Sequence, residues 1–122
     1  MELPMAYVRP EPKAHGRSQQ IEGFIPKGSK VVVIEDLIST GGSSIKAVQA
    51  LENEGMEVLS VMAIFTYELE KANTNFSSNK IQLDTLSNYS SLIKVALDTD
   101  QINAEEMELL QSWRENPEAF GL

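Results

Sequence analysis

Two apolar runs, residues 31–34 and 58–67, stand out from an otherwise polar chain. Val31, Val32, Val33 and Ile34 are consecutive and rich in β-branched side chains, which predicts a strand buried on both faces, the habit of a parallel sheet flanked by helices. The run stops at Glu35 and Asp36. Unpartnered buried carboxylates are costly, so the strand is expected to emerge there, at its carboxyl end. Small hydroxyl residues and glycines fill residues 39–43, and Ile45, Val48 and Leu51 then recur at helical spacing. Gly55, just past Glu54, predicts a left-handed helix stop. The second run predicts another strand, parallel to the first through an ordinary crossover.

The flanking segments are shorter and more polar. Residues 5–8 and 21–23 predict short strands, and Pro26-Lys27-Gly28 predicts the turn into the first long strand. Residues 68–78 are expected to be helical at first and loose by Asn73-Thr74-Asn75. Alternation over residues 81–86 predicts an edge strand, and Leu92, Ile93, Ala96 and Leu97 mark a helix opened by residues 87–90. Asn103 with Glu106 has the form of a capping box, ahead of a stripe of Met107, Leu110 and Trp113 that ends at Asn116-Pro117. The pattern is that of one α/β domain over residues 1–122. A first strand so near residue 1 is expected to continue something that precedes it.

Composition changes little in this picture. The 122 residues are 42% hydrophobic and 23% charged, ordinary for a folded domain, and cysteine is absent. No apolar run approaches the roughly 20 residues that span a bilayer, and a cytoplasmic setting is expected. Charge placement is more telling. The net charge of −8 is concentrated in residues 98–122, where seven acids face only Arg114 and leave −6. Residues 9–17 carry Arg9, Lys13 and Arg17 against Glu11, for +2, with His15 in addition. One cationic segment in an acidic chain argues against a nucleic-acid surface and for a local anion site.

The order strand, acidic pair, small-residue loop, helix has a chemical use. Glycines admit a ligand close to the backbone, and the first amides of a helix, at its positive dipole end, favour a phosphate. Ser39, Thr40 and Ser43 supply further donors. Glu35 and Asp36 do not suit that phosphate, but they accept hydrogen bonds from sugar hydroxyls and favour positive charge developing on the sugar ring. The ligand implied is a sugar phosphate; the plainer reading of residues 39–44 is a turn and an N-cap. Pro10 and Pro12 bias Arg9 and Glu11 toward extended backbone, which aligns Arg9, Lys13, His15 and Arg17 on one side of a mobile cationic arm. Such an arm suits a departing pyrophosphate, with His15 able to donate or relay a proton.

These residues resemble the phosphoribosyl diphosphate (PRPP) signature of the type I phosphoribosyltransferases. Residues 35–43 (Glu-Asp-Leu-Ile-Ser-Thr-Gly-Gly-Ser), with Tyr7-Val8-Arg9, Lys13-Ala14-His15-Gly16 and Phe65-Thr66-Tyr67-Glu68, resemble the orotate phosphoribosyltransferases within that group. The resemblance implies a parallel-sheet type I core without the family's amino-terminal portion, divided into a flexible catalytic loop at 9–20, a PRPP-binding unit at 31–55 and an acidic helical segment at 98–122. It implies that Glu35 and Asp36 contact the ribose hydroxyls, and that Leu37, Ile38, Ser39, Thr40, Gly41, Gly42 and Ser43 cradle the 5-phosphate. By the same resemblance Ser39 is expected to reach orotate as well, and Arg9, Lys13 and His15 to bind pyrophosphate, Lys13 and His15 being catalytic and acting across a homodimer. Mg²⁺ is implied as cofactor, bridged through PRPP and without direct protein ligands. The implied reaction joins orotate and PRPP to give orotidine 5′-monophosphate and pyrophosphate, a step of pyrimidine synthesis.

Three features depart from the family pattern. Pro10 stands where many relatives have a second lysine, Tyr67-Glu68 supplies no orotate-binding arginine, and the amino-terminal part that covers the base is not in these residues. Weak or no turnover by the 122 residues alone is therefore expected. The loop and acidic pair are shared by phosphoribosyltransferases for other bases, and a non-enzymatic PRPP sensor would retain them without needing the cationic arm.

Overall fold

The computed structural model describes residues 3–9 and 20–120. Two short strands, β1 (Tyr7–Val8) and β2 (Ile21–Glu22), pair antiparallel with Tyr7 opposite Glu22. The main sheet has three strands in the order β3 (Lys30–Ile38), β4 (Glu57–Thr66) and β5 (Leu83–Asn88), all parallel. Helix α1 (Gly42–Asn53) connects the first two and α2 (Glu70–Ser78) the second two. Helices α3 (Tyr89–Asp98) and α4 (Ala104–Glu115) follow, with a 3-10 turn at Pro117–Phe120.

The long elements follow from the pattern. Ile45, Val48 and Leu51 form the buried face of α1, and Gly55 adopts the left-handed conformation (φ 87°) that ends it. At α4 the capping box is complete: Asn103 Oδ1 accepts from the Glu106 amide at 2.8 Å, and Glu106 Oε1 accepts from the Asn103 amide at 3.1 Å. The core joins Val33 and Ile38 of β3, Val61 and Ala63 of β4, the apolar face of α1, and Ala72 and Phe76 of α2. Val8, Ile21 and Ile25 pack against it, so the β1–β2 ribbon is tied to the same core.

Three expectations are corrected. The first long strand does not stop at the acids; it runs through Glu35 and Asp36 to Ile38, with Leu37 opposite Phe65 and Ile38 opposite Thr66. Glu35 is only half buried and Asp36 is exposed, so neither incurs the desolvation cost that set the expected boundary. Nor is the strand buried on both faces. Val32, Ile34, Leu59, Met62, Ile64 and Leu86 are all exposed, Ile34 by 70%. Val31 pairs with Val58 but Val32 with Ser60, so a bulge at Leu59 explains why Ser60 and Val61 are both buried while Met62 and Ile64 return outward. Finally, α2 continues through Asn73, Thr74 and Asn75 to Ser78. Residues of low helix propensity are carried there by burial of Ala72 and Phe76, one turn apart on a single face.

The one-sided core sets an energetic contrast. Leu51→Ala, at a position 4% exposed, should cost about 2–5 kcal/mol of unfolding free energy. Ile34→Ala on the open face should stay within about 0.5 kcal/mol. Urea denaturation of the two variants measures both; similar losses would contradict a core confined to the helix-covered side.

Candidate functional site

The carboxyl edge of the parallel sheet is where an open α/β sheet offers ligand-binding loops. At this edge β3 ends at Ile38, whose carbonyl accepts from the Tyr67 amide at 3.1 Å, locking the exits of β3 and β4 together. The chain then turns through Ser39 and Thr40 into α1. Gly41 is the N-cap residue of α1, in the left-handed conformation at φ 82°. Its carbonyl accepts the first helical hydrogen bond, from the Ile45 amide at 3.0 Å.

Among the described residues no side chain caps this helix. Among the described residues, the amides of Gly41, Ser43 and Ser44 meet no protein acceptor, and the Gly42 amide has only a long 3.4 Å approach to Thr40 Oγ1. An uncapped helix start with free amides and a positive dipole end is suited to an anion. Ser39 and Ser43 are exposed and Thr40 is half buried, so all three hydroxyls lie near solvent at this turn. Ser44, in the first turn of α1, is buried, and among the described residues its hydroxyl has no partner.

The two glycines of the turn are not equivalent. A Cβ on Gly41 would lie 2.6 Å from the Phe76 ring, and its positive φ disfavours any side chain. A Cβ on Gly42 would meet only Thr40 Oγ1 at an ordinary 3.7 Å. The sequence shows two adjacent glycines of equal standing; the burial of Phe76 separates them.

The acids flank the strand end. Side chains alternate along a strand, so Glu35 shares the side of buried Val33 while Asp36 shares the side of exposed Ile34. Asp36 Oδ1 accepts from the Leu37 amide at 2.7 Å, which holds that carboxylate against the last residues of β3. A ligand reached by both carboxylates therefore lies across the strand's edge.

Of the cationic residues, Arg9 is described and Lys13 and His15 lie outside the described residues. Arg9 closes the β1–β2 ribbon: its amide donates to the Gln20 carbonyl at 2.6 Å, and its Nε donates to Glu22 Oε1 at 2.8 Å, with Nη2 on the same oxygen. An ion pair thus ties together the two described strands on either side of residues 10–19. Nothing in the spacing of Arg9 and Glu22 signalled that pairing, because it depends on the register of two-residue strands.

Tyr67 and Glu68, at the exit of β4, are engaged with the last two helices. Tyr67 packs edge-on against Phe65, Tyr89 and Trp113. Glu68 takes a left-handed backbone (φ 59°), with its amide donating to Thr66 Oγ1 at 3.1 Å. Its carboxylate accepts from the Ser90 amide at 2.7 Å, at the start of α3, and lies 3.5 Å from Arg114 of α4. Arg114 also donates to Ser90 Oγ. Tyr89 donates to the Leu110 carbonyl at 2.9 Å, and burial holds its hydroxyl above the ordinary value of 10.0 despite the opposing charge of Arg114. These groups tie the exit of β4 to α3 and α4.

Substitution separates the roles of the glycines. Gly41→Ala should lose more than about 1 kcal/mol of stability, because it combines a strained φ with displacement of Phe76. Gly42→Ala should be neutral or stabilising by up to about 1 kcal/mol, since it places a better helix former in α1. Thermal unfolding of both variants checks this, and equal losses would contradict the geometry.

Comparison with known proteins agrees with this arrangement. Residues 1–100 match the phosphoribosyl transferase domain family. Over 120 residues, 98% of its length, the chain is 54% identical to the orotate phosphoribosyltransferase of Lactococcus lactis subsp. cremoris, and it covers 57% of that protein. It thus spans little more than half the length of the curated relatives it matches. The crystal structure of orotate phosphoribosyltransferase from Aeropyrum pernix is similar at a TM-score of 0.66 and 32% identity, over 75% of this chain and 50% of that one. Orotate phosphoribosyltransferase from Mycobacterium tuberculosis, in complex with PRPP, is similar at a TM-score of 0.53 and 27% identity, over 60% of this chain and 43% of that one. With the strand, acidic pair, glycine turn and uncapped helix all inside the matched residues, the chain belongs to the phosphoribosyl transferase domain family.

Proposed function

We propose that the chain is the PRPP-binding portion of an orotate phosphoribosyltransferase, which transfers phosphoribose from PRPP to orotate and releases pyrophosphate. The observation that carries the reading is the uncapped start of α1, one short turn beyond the strand end that carries Glu35 and Asp36, in a chain so similar to orotate phosphoribosyltransferases. The Mycobacterium tuberculosis relative holds PRPP, which supports PRPP as the sugar phosphate.

In this reading the free amides of Gly41, Ser43 and Ser44, with the hydroxyls of Ser39, Thr40 and Ser43, hold the 5-phosphate. Glu35 and Asp36 accept from the ribose hydroxyls on the two sides of the strand end. As the bond from the ribose C1 to pyrophosphate oxygen breaks and a ring nitrogen of orotate, its proton given up to solvent, bonds to C1, positive charge grows on the sugar, and both carboxylates favour it. The leaving pyrophosphate takes the electron pair, and Arg9, Lys13 and His15 stabilise its charge. Arg9 is shared with Glu22 before pyrophosphate competes for it. Ser39, exposed at the turn, is the residue proposed to reach orotate as well.

Mg²⁺ fits the reading through PRPP. This ion keeps waters and substrate oxygens and needs few protein ligands, and no cluster of three or more potential ligands stands among the described residues. Bound with PRPP, Mg²⁺ would supply charge neutralisation on the pyrophosphate oxygens. The assembly proposed is a homodimer in which Lys13 and His15 serve the partner's site, acting in the cytoplasm. No helix among the described residues is long and apolar enough to cross a membrane.

Calorimetric titration with PRPP and Mg²⁺ tests the reading. The unaltered chain should bind, and Glu35→Gln and Asp36→Asn should each weaken binding about tenfold, the loss of one charged hydrogen bond. Any turnover should require orotate and fail with adenine, hypoxanthine or uracil. Unchanged PRPP affinity in both variants, or preference for another base, would overturn the assignment.

A further inference from the structure

Consecutive residues of α2 reach back to the turn before α1. Asn75 Nδ2 donates to the Thr40 carbonyl at 2.8 Å, across 35 positions of sequence. Phe76 is 4% exposed, and its ring occupies the space where a Cβ on Gly41 would stand. The turn is therefore fixed from behind by one polar and one apolar contact.

The polar contact has a directional consequence. The carbonyl of Thr40 and the amide of Gly41 belong to one peptide unit, which is planar and trans, so the two point in opposite directions. Anchoring the carbonyl on α2 turns the Gly41 N–H away from α2, where no protein acceptor meets it among the described residues. A hydrogen bond to the carbonyl also polarises the peptide and makes its N–H a stronger donor. We infer that Asn75 is a positioning residue for phosphate: it aims and strengthens the Gly41 amide without touching the ligand. The inference rests on the reading of this turn as the 5-phosphate site.

A merely structural role predicts something different. Asn is a weak helix former, and Ala in its place favours α2. The backbone carbonyl of Asn75, which accepts from Asn79, survives any substitution of the side chain. Truncation therefore leaves the helix intact and removes only the hold on Thr40.

The test uses the 122-residue chain with Asn75→Ala and with the near-isosteric Asn75→Asp, which lacks the donor. Both variants should melt close to the unaltered chain. Without ligand, the Gly41 ¹⁵N resonance should move upfield as the hydrogen bond to the preceding carbonyl is lost. PRPP affinity should fall about five- to tenfold for Ala and further for Asp, whose charge faces the Thr40 carbonyl. Asn75→Gln, which keeps the amide donor, should recover part of the affinity. If the unaltered chain binds PRPP and Asn75→Ala binds it equally well, the inference is wrong and the phosphate reading stands. If the unaltered chain fails to bind PRPP, the phosphate reading falls and the inference falls with it.

Discussion

Everything at the candidate site depends on the reversal of the chain at Gly41. A parallel strand and the helix that follows it run in opposite directions, and here they are joined by a few residues. One of these must take a left-handed backbone while touching a buried aromatic ring, and only glycine satisfies both demands. That reversal leaves the first amides of α1 without internal partners and aims them outward from the carboxyl edge of the sheet. The suitability of the turn for an anion is thus a by-product of how strand and helix are connected.

The elements around the turn hold it from separate directions. The Tyr67 amide ties the exit of β4 to Ile38, α2 supports Thr40 and Gly41 from behind, and Glu68 gathers the start of α3 and the end of α4. A carboxylate that caps one helix and pairs with an arginine from another is committed to architecture. The family-like Tyr67-Glu68 pair therefore acts here through packing and capping, and the cationic groups proposed for pyrophosphate are Arg9 and residues of the segment that follows it. The sheet face away from the helices carries Val32, Ile34, Met62 and Ile64 in the open, in a chain little more than half as long as its curated relatives.

Much of this was legible in the residues themselves. The strand, helix and strand of residues 30–66 follow from apolar runs and spacing, Gly55 from its place after a helix, and the capping box of α4 from Asn103 and Glu106. What escaped the sequence depends on distant contacts. Asn73-Thr74-Asn75 reads as a break because local propensity is weak, yet burial of Ala72 and Phe76 carries the helix through. Four consecutive apolar residues say that a strand is apolar on both faces, not that both faces are covered within the same residues. The Arg9–Glu22 pair needed the ribbon register, and the difference between Gly41 and Gly42 needed the position of Phe76. The acidic pair was identifiable, but its placement on opposite sides of a continuing strand was not, since the end of an apolar run is not the end of hydrogen bonding.

The central claim is that the turn between β3 and α1 receives the phosphate of a phosphorylated sugar. Amide chemical-shift mapping of the ¹⁵N-labelled chain during titration with ribose 5-phosphate tests it most directly. The account predicts saturable shifts concentrated at residues 35–44, led by Gly41, Ser43 and Ser44. Shifts centred elsewhere, or none at millimolar ligand, would contradict it.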